Sequence, residues 1–457
     1  MRRIVKPLAS VAMLLANAAH ATDLLEVWRA ASQHDPVAAI AQAERLSGDA
    51  RRALASALWR PTVGITGAAG VMSADTRMTG AQFSAPGFGE STGVGFGTSV
   101  RGGTSTRLAV QARQPLWNPE RTAQEKQLNL AAETATLSWQ AAQQDLMLAS
   151  TQRYFDLTLA DARLKLLQKQ KSAVDSALVE AKDRFALGDK PITDTYEAAA
   201  RAQGLQAQVL AAQTELTLAR HALADATGLP DGSLTSRAPA ALTQSSLTTE
   251  GLEVWQSRVA ERNLGIRMQQ AQVQAAAHEL AKHAPSASTT LDLVAQAGRE
   301  RLSGNGSYGS ASNTASQGMV GVQLNLPLYT GGWRSAKQDE ALHQQEKAQA
   351  ELDRVRQLAG QQTRAVWMGL LTGQARLQAL QEASKASQAR LDATRLGRQV
   401  GDRTTLELLQ AENDDAAAQL NLVQARLDLV MAKLRLQALA GQLDEAQLAS
   451  VNTLFQP

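Results

Sequence analysis

Cysteine is absent from this 457-residue sequence. No disulfide can staple the fold and no lipid can be attached through an N-terminal cysteine, so an exported chain of this size must be held by packing or by partners. Aromatic residues make up only 4% of the chain, and past its N-terminal segment no stretch approaches the roughly eighteen apolar residues of a transmembrane helix. Any membrane span must therefore be a β-barrel. Net charge is small, +3 over the whole sequence, and its excess sits at the N-terminus. Arg2, Arg3 and Lys6, the apolar stretch Leu8 to Ala16 and the small-x-small tripeptide Ala19-His20-Ala21 have the form of a secretory signal, so Met1 to Ala21 is expected to be removed on export. Without that segment, basic and acidic residues number 43 each. A chain so balanced lacks the clustered basic face that nucleic acid needs, and nucleic acid is excluded as a partner.

Constellations for catalysis are missing too. His278-Glu279-Leu280-Ala281-Lys282-His283 departs by one residue from the zinc spacing HExxH, which puts the two histidines off a common helical face. Gly93, Gly95 and Gly97 lack the third glycine of a nucleotide fingerprint. No enzyme activity, metal or cofactor is expected.

What is present is a duplication. Leu24-Leu25-Glu26-Val27-Trp28 recurs as Gly251-Leu252-Glu253-Val254-Trp255. Further on, Gln114-Pro115-Leu116-Trp117 matches Leu326-Pro327-Leu328-Tyr329, Leu187-Gly188-Asp189 matches Val400-Gly401-Asp402, and Ala226-Thr227-Gly228-Leu229 matches Leu439-Ala440-Gly441-Gln442. Four ordered matches argue for two structural repeats, 22–230 and 251–441, with a linker at 231–250 and a tail at 442–457. Each repeat reads as helix, strand, loop, strand, long helix, turn and shorter helix. Apolar residues such as Leu164, Leu167, Val174 and Leu178, or Leu409, Ala416, Leu427, Val430 and Leu434, recur at spacings of three and four, the pattern of coiled-coil packing. The segments 119–187 and 334–400 would each span about 100 Å as helices, and 24–60, 191–227, 252–284 and 404–440 about half that. Two short helices laid end to end thus match one long one, which places the linker and the tail as an irregular belt around the middle of a long helical cylinder.

Four segments of about ten residues, 61–71, 105–115, 287–297 and 317–327, have the length of tilted transmembrane strands. Val320, Val322, Leu324 and Leu326 interleave with Gly321, Gln323 and Asn325, and Leu108, Val110 and Ala112 with Arg107, Gln111 and Arg113. A soluble sheet with one wetted face would show the same period. In lipid, however, four strands cannot close, so several chains must share one barrel, and twelve strands from three chains leave a lumen. The segments 72–104 and 298–316, rich in Gly, Ser and Thr, are expected as mobile outer loops. Trp59, Trp117 and Trp333 near the strand ends suit an interfacial belt or ordinary packing.

Three stretches then carry a resemblance. Leu324-Asn325-Leu326-Pro327-Leu328-Tyr329-Thr330-Gly331-Gly332-Trp333 resembles the strand-to-helix junction of the TolC family. Arg184-Phe185-Ala186-Leu187-Gly188-Asp189-Lys190-Pro191-Ile192-Thr193-Asp194 and Val400-Gly401-Asp402-Arg403-Thr404-Thr405-Leu406-Glu407-Leu408-Leu409 resemble its two helix-tip turns. The end of the chain, Leu439 to Leu448, is similar to the type I secretion branch. The resemblance covers nearly all of the mature chain. It implies a mainly α protein with a membrane β part: a homotrimer with a coiled-coil barrel of twelve helices, a 12-stranded β-barrel in outer-membrane lipid, and an internal two-fold repeat. As partners it implies a periplasmic adaptor docking near Gly188, Asp189, Gly401 and Asp402, an inner-membrane transporter of ABC type, and an exported polypeptide as cargo.

In that family the tips close the tunnel through polar links. The matching positions here are Thr193 and Asp194 in one tip and Arg403 and Glu407 in the other. A guanidinium can hold a carboxylate and a hydroxyl together, which makes Arg403 the candidate latch to Asp194 and Thr193, with Glu407 in a lumenal acidic ring. Two departures stand out, since a tyrosine expected in the latch is Arg398 and a second lumenal aspartate is Gln410. The same residues also suit plain helix capping, with Thr404 and Glu407 as a capping box and Gly188 and Gly401 as helix ends. An efflux duct for small molecules and a periplasmic coiled-coil scaffold remain as alternatives to a secretion duct.

Overall fold

The structure is a computed structural model and describes residues 23–87, 89–189, 191–237, 239, 250–306 and 309–455. The expected signal, 1–21, and most of the expected linker lie outside the described residues. The described chain falls into two compact units.

The first unit holds residues up to 46, 135–269 and 351–457 and is helical. It begins with α1 (Leu24–His34), whose N-cap Asp23 accepts from the Glu26 N–H. A single helix was expected over 24–60, but the chain breaks at Asp35. Pro36 has no N–H to continue the ladder and takes the first position of α2 (Pro36–Ala57), while the Asp35 carboxylate accepts from the Val37 N–H at 2.8 Å. The chain breaks in the same way after residue 262. There α5 (Leu252–Arg262) stops at Asn263, whose side-chain oxygen accepts from the Ile266 N–H at 3.0 Å and opens α6 (Leu264–Lys282).

The long helices are α3 (Pro119–Ala186) and α7 (Trp333–Gln399), and their shorter companions are α4 (Ile192–Thr227) and α8 (Thr405–Leu439). The seams meet where the apolar repeat places them. Val174 and Ala177 pack on Ala202 and Leu409, and Leu391 on Leu408 and Ala411. The buried stripe of α8 is broader than the heptad positions alone and adds Leu408, Leu429 and Leu436. The tail is more ordered than an irregular belt. It forms α9 (Glu445–Asn452), packed on α1 with Leu448 and Val451 buried. The Asn452 side chain accepts from the Leu24 N–H at 3.0 Å and donates to Asp23 at 2.9 Å. Beyond it Phe455 stacks on Phe155 at 5.5 Å.

The second unit, 47–134 and 270–350, contains a four-stranded antiparallel sheet in the order β1 (Thr62–Ala85), β2 (Gly89–Trp117), β3 (Thr290–Gly306), β4 (Gly309–Asn325). The segments expected as outer loops, 72–104 and 298–316, are instead the far arms of the two hairpins. Small and hydroxylated side chains leave the backbone ladder intact, and threonine favours it. The hairpins are unequal. The last β2 residue paired with β3 is Arg101, opposite Asn305, and beyond it β2 pairs with β1 alone as far as Gly89. Below the sheet, Trp59 donates to Glu125 at 2.8 Å, Gln114 to the Trp59 carbonyl at 2.8 Å and Arg334 to the Ala284 carbonyl at 3.2 Å, which ties the strand ends to the helices.

Candidate functional site

Two places in the fold gather the residues singled out from sequence. The first is the pair of helix-end turns. After α3 the Gly188 N–H donates to the Phe185 carbonyl at 2.9 Å and the Asp189 N–H to the Arg184 carbonyl at 2.9 Å. After α7 the Gly401 N–H donates to Arg398 at 3.1 Å and the Asp402 N–H to Gly397 at 2.8 Å. The two turns are the same Schellman closure, and both glycines sit at positive φ, 74° and 84°.

Between these turns and the starts of α4 and α8 lies a cavity of about 350 Å³, lined by Arg184, Arg201, Arg398 and Arg403 and by Glu180, Asp194, Glu197 and Asp402. Its charges balance. Of the residues singled out from sequence, Asp194, Arg398 and Arg403 meet here, whereas Thr193 is exposed at the start of α4 and takes no part in the lining. Within the protomer Arg403 pairs not with Asp194 but with Glu407 at 3.0 Å, and its stem lies across Gly397, where a Cβ would stand 2.7 Å from it. Glu407 closes a capping box with Thr404. Its carboxyl is held below the usual range by the Thr404 N–H first, then by Arg403 and the Thr404 hydroxyl.

Beside the turns, a contact between α3 and α7 belongs to Arg398, where a tyrosine was expected. Arg398 of α7 pairs with Glu180 of α3, which also holds Arg184 at 3.0 Å. Further from the turns, Arg395 meets Glu412 at 3.2 Å and Arg390 meets Asp414 at 2.5 Å, a ladder from α7 to α8. Glu180, Glu412 and Asp414 escaped the sequence reading. Their signal was charge flanking an apolar seam, the usual place for interhelical pairs.

The second place is the sheet, whose register separates two faces. Val63, Ile65, Leu108, Val110, Leu293, Val320, Val322 and Leu324 share one face and stand open, with Val320 77% exposed. The opposite face is polar. On it Asp292, 2% exposed, holds Arg113 at 2.5 Å, and Glu300 holds Arg107 at 3.9 Å. Trp117 and Trp333 are more than half exposed.

The histidine pair flanks a different arrangement. Glu279 accepts from Lys282 at 2.7 Å and Gln127 at 2.8 Å and lies 3.3 Å from His283, whose ring meets Trp333 edge-on. Burial pushes the His278 imidazole down, helped by Lys126. Among the described residues, no three His, Asp or Glu side chains are grouped to hold a metal ion.

The family described as outer membrane efflux protein matches residues 27–229 and 255–442. Outer membrane protein TolC of Vibrio cholerae is 29% identical over 333 residues, 70% of this chain and 73% of that protein. Proteases secretion protein PrtF of Dickeya chrysanthemi is 26% identical over 458 residues, 100% of this chain and 96% of its own. Among solved structures, the outer membrane protein VceC of Vibrio cholerae superposes with a TM-score of 0.70 at 19% identity, covering 92% of this chain and 96% of that one.

Proposed function

The chain belongs to the outer membrane efflux protein family, and on that premise we propose that three copies form a channel-tunnel, the exit duct through which a type I secretion system passes a polypeptide out of the cell. The protein resides in the outer membrane and has a helical periplasmic part, as its relatives do. The observation that carries the assembly is the open sheet. Its apolar face is exposed and β1 and β4 each have an unpaired edge among the described residues. An unpaired strand edge in hydrocarbon leaves backbone groups without partners, so the edges must meet those of other copies. Three copies contribute twelve strands, with the polar face and its Arg113–Asp292 pair turned to the lumen. The duct is a passage and performs no catalysis.

The extent of similarity supports a polypeptide as cargo. The match to a proteases secretion protein runs over the whole chain, whereas the match to TolC covers 70% of it. An adaptor would dock at the turns marked by Gly188, Asp189, Gly401 and Asp402, and an inner-membrane transporter of ABC type would drive export. Arg398, Arg403, Asp194, Thr193 and Glu407 would form the gate at those turns. Efflux of small molecules is the second reading, favoured by the family's own description.

The purified protein should run as a detergent-stable trimer and fractionate with the outer membrane, and recovery as a soluble monomer would sink the assembly. Deleting its gene should abolish export of a polypeptide. Sensitivity to toxic small molecules with protein export intact would favour the second reading.

A further inference from the structure

Every arginine of the outer sheet belongs to one face or the other, and the faces treat the charge differently. On the polar face Arg113 and Arg107 have carboxylate partners, Asp292 and Glu300. On the apolar face β3 runs Leu291, Leu293, Ala295, Ala297 and then Arg299 and Arg301. Both of these arginines are exposed, and neither forms an ion pair among the described residues. Glu300, between them in sequence, points to the other face because side chains alternate along a strand.

The surroundings of the two arginines are specific. Arg301 stands between Thr106 and Thr314, and Arg299 between Leu108 and Ser316. The apolar band therefore ends in a row of guanidinium and hydroxyl groups. Eight residues separate Leu291, which faces Trp117, from Arg299. At about 3.3 Å per residue and a tilt near 40°, that is about 20 Å of height, comparable with the roughly 25 Å apolar band of a membrane barrel. Trp117 then marks one rim of the band and the arginines the other. A lipid-facing arginine is costly in mid-membrane and cheap at the interface, where its stem lies along apolar surface and its head reaches the headgroups.

We propose that Arg299 and Arg301, with the flanking hydroxyls of Thr106, Thr314 and Ser316, hold the phosphate groups of anionic lipids at the outward rim of the membrane. Guanidinium groups match phosphate oxygens two at a time. The proposal rests on the reading of the sheet as membrane-spanning. Its occupant is a lipid rather than a soluble ion, because the site is continuous with an apolar surface that acyl chains would cover.

The test has two stages. Flotation of the full chain with vesicles of phosphatidylcholine checks the membrane reading, and a protein that stays in solution sinks that reading and this one together. The detergent-purified protein is then titrated with phosphatidylglycerol or phosphatidylcholine and the adducts counted by native mass spectrometry. The wild type should favour phosphatidylglycerol, and Arg299→Gln and Arg301→Gln should each weaken that binding about fivefold. Arg299→Lys should retain most of it, and Arg107→Gln, on the other face, should leave it unchanged. A double Gln variant with the wild-type preference, in a protein that floats normally, overturns the inference. So does displacement of the lipid by an equal concentration of inorganic phosphate, which would make the site one for a free ion.

Discussion

Glu279 illustrates how little of a residue's role its motif conveys. Beside His278 and His283 it invites comparison with a metal site, yet its oxygens are occupied by Lys282, Gln127 and His283. Burial acts to raise its pKa, but the hydrogen bonds from Lys282 and Gln127 outweigh it and hold the carboxyl at about 2. A carboxylate depressed in the folded state contributes stability that is complete above its ordinary pKa, near 4.5, and lost as the pH falls toward 2. Glu279→Gln should therefore lower the melting temperature at neutral pH and flatten its fall between pH 4.5 and 2, measured by thermal unfolding in acid. Replacing His278 and His283 should leave export intact, since among the described residues neither ring belongs to a group of three His, Asp or Glu side chains able to hold a metal ion.

At the scale of helices, the departure at Arg398 matters most. Its pair with Glu180 joins α3 to α7 beside the turns, whereas Arg403 is bound to Glu407 on its own helix. A partly exposed ion pair contributes no more than about 1 kcal/mol, but three copies broken together would amount to about 3 kcal/mol. That is about a hundredfold in the ratio of closed to open. Glu180→Gln should raise single-channel conductance in planar bilayers with trimers intact, and high salt should partly mimic it. Arg403→Ser with Asp194→Ala serves as the comparison. If that variant alone opens the channel, the closing contact runs between copies, not within one. The long helices were legible in the sequence because apolar seams run along them and Schellman glycines close their C-terminal ends, with α3 ending at Ala186 and α7 at Gln399. The break at Asp35 was legible in principle from Pro36. The break at Asn263 was not, because asparagine is tolerated within helices and only its bond to Ile266 marks the start of a new one. Glu180 could be read only as a charge beside a seam, since its partner Arg398 lies far away in the sequence. The hairpin arms read as loops because glycine, serine and threonine signal irregular chain unless a neighbouring strand supplies the ladder.

For the whole molecule, the unequal hairpins would determine what lies beyond the membrane in the proposed barrel. Up to Arg101 and Asn305 each copy offers four paired strands, but past that level only 74–85 and 89–100 continue, as a two-stranded ribbon. A two-stranded ribbon in water is marginally stable on its own. In the proposed trimer a closed wall would therefore give way to three separate ribbons, the first parts of the protein that an agent approaching from outside would meet. Protease added to intact cells should nick near the turn at Pro86 and Gly87 while trimers and conductance survive, a result readable by mass spectrometry of the released peptides. Cutting first within α3 or α7 would show that the ribbons are shielded. The same exposed turn is where antibodies would gain their easiest hold, and where a short epitope tag could be inserted to label the duct on living cells without touching its passage.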